Sequence, residues 1–145
     1  MGRFGRRGFF SASLGVAGIA LSGCFRQAQT DPAAVADALR SAVTAMPEHL
    51  DGEVQFHDSF SAGTTIGGVL TLAGSSSYEV ADSLHAVLET IIRTYVDQPG
   101  TDTAFVRVEG HPSGDAATRV LAADIIPAAS GANVTTDDLA EFYGI

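Results

Sequence analysis

Val80, Leu84, Val87, Leu88, Ile91 and Tyr95 recur at three- and four-residue spacing, which draws one apolar stripe along a helix. A stripe this long has to be covered by a second layer, so the chain must fold around it. Its ends are legible too. Ser76-Ser77-Tyr78-Glu79 places a Ser at the N-cap and a Glu three residues later, the reciprocal capping pattern. Pro99-Gly100 stops the chain beyond it.

The flanking segments supply the partner layer. Asp31-Pro32 starts an earlier helix, with Asp as the cap and Pro in the first turn. Val35, Leu39, Val43 and Met46 form its stripe, and Pro47 ends it. Residues 53–57 alternate, with Val54 and Phe56 on one face and Glu53, Gln55 and His57 on the other. Gly63 marks a turn, after which Ile66, Gly68, Leu70 and Leu72 share a face, so the two stretches read as a hairpin. Gly67-Gly68 inside the second strand signals a bulge or a close approach.

Ala104, Val106 and Val108 alternate with Phe105, Arg107 and Glu109 in a further strand, and residues 111–115 form a turn. Residues 119–126 fit a strand through Val120, Leu121, Ile125 and Ile126, while 116–124 also fits a helix; a strand closing a second hairpin is preferred. Thr135-Thr136-Asp137-Asp138 caps a short last helix through Leu139, Phe142 and Tyr143. The order α-β-β-α-β-β plus a short C-terminal helix predicts an α+β two-layer sandwich. In it, a four-stranded antiparallel sheet carries two helices on one face.

The N-terminus differs from everything after it. Residues 1–7 are basic, residues 9–21 are mildly apolar, and Leu21-Ser22-Gly23-Cys24 closes the run with small residues before the only cysteine. The layout is that of an export signal, and the apolar run is too short to span a bilayer. Leu21, Ser22, Gly23 and Cys24 closely resemble the lipobox of bacterial lipoproteins. That resemblance implies lipid attachment at the Cys24 thiol, cleavage before Cys24, and residence on the outer face of the cell membrane. Arg6-Arg7-Gly8-Phe9-Phe10 resembles a twin-arginine export signal, with Gly5 in place of the usual Ser or Thr. Residues 1–23 are then a cleaved signal, 24–30 a lipidated tether, and 31–145 a single domain. In layout alone, 31–145 is similar to small actinobacterial exported domains with no assigned activity.

Composition narrows the partners. All 17 acidic residues follow Cys24, along with five of the eight Arg, and there is no lysine, so the portion from Cys24 onward carries a formal charge of −12. Phosphate neutralisation needs clustered basic residues, which excludes nucleic acid as a natural partner. Without lysine there is no Schiff-base chemistry, and a lipidated Cys24 provides neither a catalytic thiol nor a disulfide.

Chemical motifs are sparse. His49, His57, His85 and His111 lack metal-ligand spacing. No G-x-S-x-G elbow is present, and Val69 stands where a phosphate loop requires Lys. Glu109, His111 and Asp115, gathered by a turn, are the best polar cluster and the candidate metal site. Phe105, Phe60 and the Thr positions of the second strand fall on the sheet face away from the helices. That face is either open to a protein partner or a second copy, or covered by the tail after Pro127. The expected function is a noncatalytic, membrane-anchored binding or accessory module that needs no cofactor. The alternatives are a small enzyme or metal-binding protein with a site near His111 and Asp115, or a carrier of an apolar ligand between helices and sheet.

Overall fold

A computed structural model describes residues 29–145. Arg6, Arg7, Leu21, Ser22, Gly23 and Cys24 lie outside the described residues. The element order is α1 (Pro32–Thr44), β1 (His49–Asp51), β2 (Gln55–Ser59), β3 (Gly63–Leu72), α2 (Ser77–Val96), β4 (Phe105–Pro112), β5 (Val120–Leu121), α3 (Ala122–Ile125) and α4 (Thr136–Tyr143). The class is α+β, with one five-stranded mixed sheet under a layer of helices.

Local chemistry sets the helices. Asp31 accepts the N–H groups of Ala33 and Ala34, with Pro32 in the first turn of α1. Ser76 Oγ accepts the Glu79 N–H, while the Glu79 carboxylate reaches back to the Ser75 N–H and both hydroxyls. These bonds, the Ser75 N–H foremost, hold the Glu79 pKa below its ordinary value. The expected stripes are the buried ones: Val35, Leu39 and Val43 in α1, and Val80 through Tyr95 in α2. They meet Phe56, Ile66, Leu70, Leu72, Val106 and Val108 in one continuous core.

The sheet departs from the antiparallel expectation at its centre. β2 and β3 form the expected hairpin, pairing Gln55 with Gly67 and Ser59 with Gly63. β3 and β4, however, run parallel from Thr65–Phe105 to Leu72–Pro112. Parallel neighbours need a crossover, and α2 provides it. Its 20 residues extend about 30 Å, close to the length of the ten-residue β3, so the helix returns the chain to the level at which β3 began. β4 therefore starts beside the start of β3.

Two smaller corrections concern the edges. The sheet has five strands, not four, because β1 pairs with the end of β3 while β2 pairs with its beginning, along the same edge. His49–Asp51, just past the Pro47 expected to end the first helix, forms β1. The second hairpin is also shorter than expected. β5 pairs with β4 through only Val120 and Leu121, and the chain then makes one helical turn, α3. The Asp124 carboxylate accepts the Leu121 N–H at 2.7 Å, so residues 119–126 combine both local readings.

The break between β1 and β2 depends on two glycines. Gly52 has φ +88°, and a Cβ there would lie 2.3 Å from the Val69 carbonyl oxygen; one on Gly68 would lie 2.8 Å from that of Glu53. The anticipated close approach at Gly68 is real, while the irregular register falls on the β1 side. His49 Nε2 closes the loop at 2.8 Å from the Gly52 carbonyl.

At the other end of the chain, Asp138 accepts the N–H groups of Ala129 and Thr135 and the Thr135 hydroxyl, at 3.0, 2.8 and 2.7 Å. Burial opposes its charge, but these three donors outweigh burial and hold its pKa below the ordinary value. They tie the 127–135 segment to α4.

Gly52→Ala should cost about 2–4 kcal/mol in urea unfolding, because strained backbone and a steric clash coincide. Gly114→Ala, with φ +79° and nothing within 4 Å of the new methyl, should cost only about 1–2 kcal/mol. Equal losses would show that backbone conformation alone governs the break. Asp138→Asn should cost about 1–2 kcal/mol at pH 7. Because the folded pKa is depressed, the wild-type advantage is present above the unfolded pKa of about 3.9 and is lost as pH falls through the folded value. The two stability curves should begin to converge below about pH 4 and meet only below the depressed folded value, as read by urea midpoints across pH.

Candidate functional site

The chain direction sorts the candidate residues by end. Thr30 donates its hydroxyl to the Gly100 carbonyl, beside the C-terminal end of α2. The β2–β3 turn and the start of β4 lie at this same end, since Gly63 pairs with Ser59 and a Cβ on it would lie 3.7 Å from the Phe105 ring. β4 then runs away from it, which puts the His111–Asp115 turn at the opposite end.

Within that turn, Glu109 and His111 project from one face of β4, two residues apart, but each member of the trio has its own partner. Glu109 lies 3.8 Å from Arg119 Nη1. His111 Nδ1 is 3.3 Å from the Pro112 carbonyl oxygen. Asp115 accepts the N–H groups of Ala117 and Thr118 at 3.0 and 3.2 Å. Hydrogen bonding to Thr118, then to Ala117, lowers the Asp115 pKa, with His111 contributing least. Among the described residues, no three His, Cys, Asp or Glu side chains are placed to hold one metal ion.

The remaining histidines are dispersed. His57 is exposed on β2, 3.3 Å from Gln55 Oε1. His85 lies on the outer side of α2, as its helical phase requires, and packs edge-on to Phe142 and Tyr143 at 5.6 and 5.0 Å between ring centroids. The Tyr143 hydroxyl donates to the His85 carbonyl, and that of Tyr95 to the Asp102 carbonyl. Burial first, then Asp102, Asp58 and Asp137, push the Tyr95 pKa up to about 12. Both phenols remain neutral hydrogen-bond donors at physiological pH, a structural role.

The sheet face opposite the helices is the broadest feature. The tail does not cover it. Val134 accepts the Val106 N–H at 2.8 Å and the Thr136 N–H donates to Ala104 at 2.9 Å, so the tail lies along the edge of β4. Thr65, Gly67, Val69 and Thr71 of β3 stand beside Phe105, Arg107, Glu109 and His111 of β4 on that face. Phe60, expected there, instead sits in the turn beyond the strand ends.

One cross-strand row carries Gln55, Gly67 and Arg107. The missing side chain at Gly67 leaves a trough of about 520 Å³ between the Gln55 amide and the Arg107 guanidinium, with Val69 at its side. Arg40, Arg93 and Arg119 each lie within 4 Å of a carboxylate. Arg107 instead lies 5.9 Å from the centroid of the Phe105 ring. Sequence alternation put Arg107 and Gln55 on outward faces, but only the strand register puts them on either side of one glycine.

No family model matches the chain, and no curated protein and no solved structure matches it.

Because the acidic groups near His111 are engaged separately, millimolar Zn²⁺ or Mn²⁺ should leave the melting temperature within about 1 °C. A concentration-dependent rise abolished by His111→Ala would instead establish a metal site at the turn.

Proposed function

We propose that this chain is an exported lipoprotein, anchored through Cys24 to the outer face of the cell membrane, whose domain is a noncatalytic binding module. Its working surface is the open sheet face. The observation that carries this reading is that α1, α2 and α4 all pack on one side while the tail occupies a strand edge. Val69, Phe105 and Arg107 therefore stay exposed on a broad surface. A sheet face bearing apolar side chains suits a protein partner.

The remaining features support it. The Leu21-Ser22-Gly23-Cys24 run resembles a lipobox, and a diacyl anchor holds far more firmly than one acyl chain. Among the described residues no helix is long and apolar enough to cross a membrane; in this reading the lipid at Cys24 is the attachment. Leu39, Ile66, Leu70, Leu84 and Leu88 fill the space between helices and sheet, which favours surface binding over carriage of an apolar ligand.

Two measurements test the proposal. Cell fractionation should find the wild type with membranes and Cys24→Ala in the soluble fraction; equal solubility of both would refute the anchor. A photocrosslinker at position 69, used in intact membranes, should give a discrete adduct that Arg107→Glu removes. The same probe at Tyr78, exposed in the first turn of α2 on the helix side of the sheet, should give none. Equal labelling from both positions would refute the sheet face as the working surface.

A further inference from the structure

We infer that the β2–β3 turn dips Phe60 into the bilayer that holds the lipid anchor, so that the domain stands on the membrane in one orientation. The inference rests on the anchored reading of Cys24 and adds a second membrane contact to it. Phe60 is fully exposed at the tip of the turn, the most exposed large apolar side chain among the described residues. Water is an unfavourable place for a bare aromatic ring, whereas the headgroup boundary favours one.

The geometry names the occupant. Thr30 is held against Gly100 at the same end as this turn. Only five residues lie between Cys24 and Thr30, and those six steps reach about 20 Å at full extension. The β3 strand alone spans about 33 Å, so the tether cannot let the domain stand inverted, with Thr30 uppermost and its far end on the bilayer. In an upright stance the end nearest the lipid is the one bearing Phe60.

Charge agrees. Ser59, Ser61, Ala62 and Gly63 around the tip are uncharged. The nearest carboxylate in the chain, Asp58, accepts the Thr64 hydroxyl at 3.0 Å, back along the hairpin. The tip of the turn is uncharged, whereas Asp31, Asp97 and Asp102 lie at the same end of the domain, so the contact is confined to the ring at the tip. One ring is too little to anchor the domain; its effect is to limit rocking about the lipid anchor.

The chain contains no tryptophan, so Phe60→Trp introduces a single fluorescent indole. The full lipidated protein would be reconstituted into phosphatidylcholine vesicles with acyl-chain-brominated lipid. The indole at position 60 should emit to the blue and lose most of its intensity to bromine. An indole introduced by Tyr78→Trp, at the opposite end in the first turn of α2, should keep its intensity. Membrane-bound protein with both indoles equally unquenched would overturn the contact while leaving the anchor intact. A blue shift at position 60 without bromine quenching would also overturn it, by showing that protein covers the ring. Failure of the wild type to sediment with vesicles would overturn the anchor and the contact together.

Discussion

The packing of α2 across the β3–β4 pair sets the plan of the molecule. Its stripe is buried from Val80 to Tyr95, so the helix must lie along the sheet for its full length. A helix that follows β3 and lies against it runs back the way the strand came, and the next strand must begin where β3 began. The parallel pair follows from that single burial requirement. So does the polarity of the domain, with the β2–β3 turn, Gly100 and Thr30 at one end and the His111 turn at the other.

The same packing makes the domain one-sided. α1 leans on α2 and β2, and α4 joins α2 through Tyr143 and the His85 carbonyl. What remains of the chain is used at the edges: residues 127–135 are tied down by Asp138 and laid along β4. No described segment is left to cover the second face of the sheet. In the proposed anchored form the tether leaves from one end of the strands, so an upright domain holds its open face to the side, free for a partner.

Caps and stripes were legible in the sequence because each is decided within about one turn of backbone. Asp31-Pro32, Ser76 with Glu79, and Thr135 with Asp138 lie where their hydrogen bonds require them. The β2–β3 hairpin was legible for a related reason, since alternation on both sides of Gly63 leaves one way to bury Phe56 and Ile66 together. Residues 119–126 read ambiguously because they do two things, two residues of strand and one turn of helix. β1 was missed because its three residues, half-buried His49 and exposed Leu50 and Asp51, carry no periodicity.

The sequence by itself determined the class of fold, the helix ends, the faces that are buried, and the contrast between a basic N-terminus and an acidic domain. These are properties of neighbouring residues or of the whole composition. Tertiary structure alone decided that β4 runs parallel to β3, that Glu109, His111 and Asp115 each turn to a separate partner, and that Gln55 and Arg107 flank Gly67. Each of those depends on which distant segments share a row in the sheet. That register comes from fitting one long helix over one long strand, a constraint that no local pattern of residues contains.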